Sequence, residues 1–162
     1  MAQQFVNFLS YNSTGLNDAK IKWINDLIET TNASCIGLQE HFIKSKAIED
    51  MFVKSFPTNS CKVKPGHRAA GQESGRPKGG LAQLVRKKLN IKMKNLKVEN
   101  FRIQGQVLEF PSCRLLWLNV YFPTDPLTVN FDDEELQQVL RDIEKIMDEA
   151  EYDDVILGGD LN

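Results

Sequence analysis

Asp160 and Asn162 stand two residues apart at the end of the segment Asp153-Asp154-Val155-Ile156-Leu157-Gly158-Gly159-Asp160-Leu161-Asn162. In an extended chain residues two apart point the same way, so a carboxylate and an amide are aimed together while Leu161 faces the other side. Such a pair at the carboxyl end of a strand suits a hard cation or a phosphate. The two glycines before it let the backbone bend or come close to a ligand. Taken alone, the segment reads equally as a turn that uses Gly, Asp and Asn for their backbone tolerance. Three more polar residues follow other apolar runs: Asn12, Glu40 and Tyr121. Singly they read as a turn residue, a surface acid and an edge aromatic. Arg68, Arg76 and Lys78 lie in the long loop 65–80 with Gly66, Gly71, Gly75, Gly79 and Gly80. A loop of that length is either functional or disordered.

The elements that must position these groups can be read from the pattern. Phe5 to Leu9 is a first strand, and Asn17 or Asp18 caps a helix whose apolar face is Ile21, Ile24, Leu27 and Ile28. Ala33 to Leu38 is a second strand. Strand, helix and strand within 40 residues form a βαβ crossover, which brings Asn12 and Glu40 to the same end of neighbouring parallel strands, where open α/β sheets bind ligands. Ala47 to Phe56 reads as a helix with Ile48, Met51 and Phe52 inward, stopped by Pro57. Strands follow at 61–64, 80–85, 89–98, 101–110 and 115–121, and their short links predict antiparallel pairing. Asp132 opens a long helix with Glu135 as its capping-box partner and Leu136, Val139, Leu140, Ile143, Met147 and Ala150 inward. The run Val155 to Leu157 reads as a fully buried terminal strand.

Composition narrows the class. With 41% apolar and 26% charged residues the chain is that of an ordinary globular domain. The formal charge of −2 hides a segregation. Residues 62–102 hold 12 Lys/Arg against Glu73 and Glu99, and residues 132–154 hold 11 acids against Arg141 and Lys145. The first block suits a polyanion, the second the outer face of a helix. Cys35, Cys61 and Cys113 have no paired spacing, which argues for a reducing, nuclear or cytoplasmic setting and against a disulfide scaffold or a zinc site. No segment approaches the apolar length needed to span a bilayer, and no secretory leader is legible.

Together, and in this order, the segments Ser10-Tyr11-Asn12-Ser13-Thr14-Gly15-Leu16, Leu38-Gln39-Glu40, Leu118-Asn119-Val120-Tyr121 and Gly158-Gly159-Asp160-Leu161-Asn162 resemble the exonuclease–endonuclease–phosphatase superfamily, which includes apurinic-site endonucleases and deoxyribonuclease I. Gln39-Glu40-His41-Phe42 and Gly75-Arg76-Pro77-Lys78-Gly79-Gly80-Leu81-Ala82 look more particularly like the endonuclease domain of non-LTR retrotransposons. The resemblance implies an α/β fold: a mixed β-sheet with flanking helices, the first half of a four-layer deoxyribonuclease I-like sandwich. It implies Mg²⁺-dependent (or Mn²⁺-dependent) hydrolysis of DNA phosphodiesters, with DNA as partner and neither a membrane nor an organic cofactor. Glu40 would ligate the metal and Asn12 would share in that site. Asp160 would position the attacking water, and Asn162 and Tyr121 would donate to phosphoryl oxygens. Arg68, Arg76 and Lys78 are the candidates for holding the DNA backbone.

Two departures qualify the expectation. Thr14 stands where many relatives carry an acid, although retrotransposon members often lack one. The family also continues through a second half with a further aspartate and an Asp-His pair, and neither His41 nor His67 is at that position. The resemblance therefore implies that 1–162 is one such domain truncated at its C-terminal half, its partner half lying elsewhere in a longer polyprotein. Exposed apolar faces on Leu115–Tyr121 and Val155–Leu157, poor solubility and little or no nicking are expected of it. Two other functions fit the same residues: a catalytically inactive fragment that binds nucleic acid or a partner, and phosphoinositide or sphingomyelin hydrolysis on the same fold.

Overall fold

The computed structural model describes residues 5–68, 77–123 and 133–161. β1 (Phe8–Asn12) leads through α1 (Asp18–Thr31) to β2 (Cys35–Gln39), then α2 (Lys46–Lys54), β3 (Asn59–Lys64), β4 (Leu81–Arg86), a 3-10 turn (Lys87–Leu89) and β5 (Lys92–Asn95). After β5 come β6 (Ile103–Glu109), β7 (Arg114–Tyr121), α3 (Asp133–Glu149) and β8 (Asp154–Asp160). The strands form two four-stranded sheets, ordered β1-β2-β4-β3 and β5-β6-β7-β8. β1 and β2 run parallel across α1, and β7 and β8 run parallel across α3. All other pairs are antiparallel. Each sheet thus carries one βαβ unit, and the two parallel pairs finish at Asn12/Gln39 and Tyr121/Asp160.

Side-chain alternation sorts the layers. Ile36, Leu38, Ala82 and Leu84 pack against Ile24, Ile28, Phe52 and Phe56 of the first two helices and the turn after α2. Leu116, Leu118 and Val120 pack against Val139 and Ile143 of α3. The opposite faces of the sheets meet each other, with Cys35, Val85, Leu108, Trp117 and Ile156 at one end of that contact. The order is helices, sheet, sheet, helix. Further along, the inter-sheet layer turns polar: Gln39, Gln83, Gln104, Gln106 and Asn119 are all buried there.

Asn17 caps α1, its side chain accepting from Lys20 N. At the other end of α1, Arg86 donates to the carbonyls of Ala33 (2.8 Å) and Ile28 (3.0 Å) and pairs with Glu29 at 2.9 Å. It supplies donors that the last turn of a helix lacks. Lys64 is used in a similar way. Its ammonium donates to the carbonyls of Val98 (2.7 Å), Asn100 (2.6 Å) and Ile103 (2.8 Å), stapling β3 to the entry of β6. Burial pushes this lysine down to about 8, while the three carbonyls favour its charged form. Lys64→Met keeps the stem and removes the donors. It is expected to cost about 1–3 kcal/mol, read as a lower urea midpoint, the scale of taking a charged donor from part-buried carbonyls; Asn100 O keeps the Ile103 N–H as a second partner. Arg86, Arg102 and Lys64 therefore face inward, which leaves a smaller part of the basic block for a polyanion than its charge suggests.

Several expectations are corrected. Val155–Leu157 is not fully buried: β8 is the outermost strand of its sheet, and Val155 and Leu157 are 38% and 40% exposed. β7, expected to show an apolar face, is covered on both sides from Leu116 to Tyr121. Ile48 and Met51 are exposed, because only Phe52 on that helix reaches the sheet. Leu140 is likewise exposed on α3. Glu135 gives its carboxylate to Arg102 at 2.8 Å, and its expected partner Asp132 lies outside the described residues. Among the described residues no helix is long and apolar enough to cross a membrane.

Candidate active site

Asn12 ends β1, Glu40 follows β2 directly, and Tyr121 and Asp160 end the second parallel pair in register with each other. Two hydrogen bonds cross between the sheets here. The Asn12 amide donates to Asp160 Oδ2 at 2.5 Å, and the Tyr121 hydroxyl donates to Glu40 Oε1 at 2.7 Å. The four side chains named from the sequence form one cluster. Asn162 and Arg76 lie outside the described residues.

The local backbone is bent to make this possible. Glu40 has φ +54°, Phe42 +55° and Thr14 +42°, a left-handed conformation uncommon for residues other than glycine. Such strain persists only where the surroundings enforce it. Here Gly15 N–H donates to Glu40 O (2.7 Å) and Ser13 N–H to Gln39 O (2.8 Å), continuing the β1–β2 pairing past the strand ends. His41 supplies the rest. Ile43 N–H donates to its Nδ1 at 2.9 Å, which makes Nδ1 an acceptor and places the proton on Nε2, bonded to Leu81 O at 3.0 Å. Burial pushes this imidazole down to about 4, so it is neutral at ordinary pH. Its ring lies against Gly80, where a Cβ would come within 2.8 Å. Gly159 has the equivalent role in β8: with φ +155° the strand continues through it, and a Cβ there would lie 2.0 Å from Val120 O. That is why the two glycines do not end the strand at Leu157.

Asn12 is oriented without ambiguity. Thr14 N–H donates to its Oδ1 at 2.9 Å, and a backbone N–H can only donate. Asn12 therefore meets Asp160 with its donor side. Tyr121 is pushed up to about 12 by burial first, then by the bond and charge of Glu40 and the charge of Asp160, with Arg102 opposing. It stays a neutral phenol and a donor. Arg102, which sequence reasoning left in the general basic block, lies 5.1 Å from the Tyr121 ring centroid and 5.0 Å from that of Phe101, a cation–π stack held by Glu135. Only Phe101 is its neighbour in sequence, and nothing local marks the role, since Tyr121 and Glu135 lie on another strand and on α3. His67 stacks on Phe101 at 4.7 Å, and neither histidine lies among the four clustered groups.

The described base of the glycine loop lies at the same end of the sheets. His67 and Lys78 pair through two backbone bonds of 2.8 Å, which brings Arg68 and the exposed Lys78 together at the base of the loop. Gly79 lies against Phe101 and Tyr121, so this base borders the cluster. Glu40 and Asp160 present hard oxygen donors, which fit Mg²⁺ or Mn²⁺. No group of three or more His, Cys, Asp or Glu side chains suited to a metal occurs among the described residues. Mg²⁺ keeps several waters and needs only one or two protein carboxylates, so this donor set fits it.

No protein-family model matches the chain, and no curated protein matches it in sequence. Solved structures share its fold. AP endonuclease LMAP from Leishmania major superposes with a TM-score of 0.70 at 15% identity, over 96% of this chain and 55% of that one. The endonuclease domain of TRAS1, a telomere-specific non-LTR retrotransposon, gives 0.63 at 16% identity, over 97% and 60%. An endonuclease/exonuclease/phosphatase family protein from Leptotrichia buccalis gives 0.62 at 15%, over 98% and 67%. The chain shares the fold of these structures, α/β with two mixed sheets and flanking helices. The chain spans 55–67% of the length of these three structures.

Proposed function

We propose that this cluster is the metal-dependent centre of a phosphodiester hydrolase acting on DNA, of the retrotransposon endonuclease type. The observation that carries the reading is the pair of inter-sheet bonds, Asn12 to Asp160 and Tyr121 to Glu40, which gather two carboxylates and two donors at the carboxyl ends of both parallel strand pairs. The endonuclease neighbours support the reaction class, and the motif around Glu40 and the glycine loop supports the subtype.

Glu40, with Asp160 nearby on β8, would hold Mg²⁺, which when bound supplies Lewis-acid polarisation of the phosphate. The chain's own groups do the rest. Asp160, turned by the Asn12 amide, positions the attacking water. Tyr121 keeps its proton, and its single O–H holds Glu40 in one rotamer; turned from Glu40 once that carboxylate holds the ion, the same O–H would donate where phosphoryl charge builds. Asn162 is assigned a second such donor. Lys78 and Arg68 at the loop base, with Arg76, hold the DNA backbone by phosphate contacts.

Relaxation of supercoiled plasmid in Mg²⁺ tests the activity. Glu40→Ala and Asp160→Ala are each expected to lower the rate by about 10²-fold or more, the scale of losing one preorganised electrostatic group. A readout independent of turnover accompanies it. Mn²⁺ at low stoichiometry should broaden NMR signals at the carboxyl ends of β1, β2, β7 and β8, and Glu40→Ala should abolish that broadening. Nicking untouched by both substitutions, or broadening centred elsewhere, overturns the assignment.

A further inference from the structure

The buried amide two residues before Tyr121 does something the four clustered groups cannot do for themselves. Asn119 is 1% exposed and points from β7 into the inter-sheet layer. Its Nδ2 donates to the carbonyls of Leu38 on β2 and Ala82 on β4, both at 3.1 Å. Carbonyls accept only, so the amide orientation is fixed and Oδ1 must face the other way. There it accepts from Gln39 Nε2 at 2.6 Å, and Gln39 also donates to Ser10 Oγ on β1 at 3.1 Å. A single side chain of one sheet is thereby joined to three strands of the other. It rests where β2 has no side chain: a Cβ on Gly37 would stand 3.0 Å from Asn119 Oδ1.

The two ends of this link lie next to the site. Gln39 immediately precedes Glu40, and Asn119 and Tyr121 lie on the same face of β7. The Tyr121–Glu40 bond is 2.7 Å long and joins residues on different sheets, so it tolerates little relative displacement of the sheets. We infer that Asn119 is the positioning residue that sets the separation between Tyr121 and Glu40, acting through Gln39 and the β2 backbone while touching neither group of the site directly. Packing alone does not fix this distance, because apolar contacts are non-directional and the apolar part of the inter-sheet layer lies toward the other ends of the strands. Directional bonds with satisfied donors hold one register. This deepens the reading of the same site and rests on it only for the activity arm of the test.

The structural arm uses the Tyr121 hydroxyl. In protein labelled with ¹³C-tyrosine, a hydroxyl bonded to a carboxylate gives a slowly exchanging downfield proton, and Tyr121→Phe assigns it. Asn119→Ala is expected to lose or shift that signal. Leu116→Ala, which removes buried volume on the α3 side of the same strand, is expected to lower stability and leave the signal in place. Gly37→Ala displaces the amide instead of deleting it and should reproduce the Asn119→Ala spectrum, which keeps the test open if one variant folds poorly. In the plasmid assay Asn119→Ala should lower kcat by about 10- to 100-fold with little change in KM, the scale of an ångström-sized misplacement. A Tyr121 signal unchanged in both Asn119→Ala and Gly37→Ala overturns the inference. The expected spectra in a protein that does not nick DNA leave the inference standing and remove the proposed function.

Discussion

Gly159→Ala is expected to be strongly damaging, and Gly158→Ala nearly silent. The two glycines are neighbours in β8, yet a Cβ on Gly158 meets nothing within 4 Å, while one on Gly159 would lie 2.0 Å from Val120 O. That obstacle is backbone in the middle of a β-sheet ladder, so no side chain can swing aside. β8 must shift away from β7, and Asp160 goes with it. Overpacking of this kind costs about 1–3 kcal/mol, occasionally more, and the upper end is expected because φ +155° at Gly159 is also unfavourable for alanine. Gly158→Ala should stay within about 0.5 kcal/mol. Urea midpoints of the two variants, with plasmid nicking beside them, check this. Equal midpoints would show that β8 does not follow β7 as closely as described.

The second large effect is a loss of stability in acid that belongs to one imidazole. His41 titrates near 6.5 in an unfolded chain, and in the folded protein burial holds it down to about 4. Between those values the unfolded chain binds the extra proton. Stability contributed by neutral His41 is therefore whole above pH 6.5 and falls steadily as pH drops toward 4. Integrated over the window the loss is about 3 kcal/mol. Protonation would also place a donor at Nδ1 opposite the Ile43 N–H, disturbing the turn that carries Glu40. Urea midpoints at pH 7, 5 and 4 should fall more steeply for the wild type than for His41→Phe. That variant is less stable at pH 7, since Leu81 O and Ile43 N lose their partner, but it has no imidazole to titrate. Parallel slopes in the two proteins would remove His41 from the account.

How far the sequence leads can be judged residue by residue. Asn12 and Glu40 were legible because each follows an apolar run of one βαβ unit, whose parallel strands deliver their ends to one side of a sheet; Tyr121 and Asp160 joined them only through the family resemblance, since nothing local announces that β7 and β8 run parallel. The Asn17 cap and the Val139/Ile143 face of α3 were legible from local chemistry. The exposure of Val155 and Leu157 was not, because an apolar run states what a strand prefers and not where it stands in the sheet. The inward turn of Lys64, Arg86 and Arg102 was hidden for a related reason: which carbonyls lack a donor is settled only when distant segments meet. Gln39 and Asn119 were passed over as single polar letters in apolar strands, although their bonds decide how the sheets align.

Both bonds that assemble the candidate site join residues far apart in the chain, Asn12 with Asp160 and Glu40 with Tyr121. Neither sheet contains a working half of it. A chain in which each βαβ unit has formed but the sheets have not yet docked would hold every one of these side chains and no centre. The centre should then arrive only with the slowest, least local step of folding, so that nascent or partly opened molecules hold all four groups without the arrangement they make together.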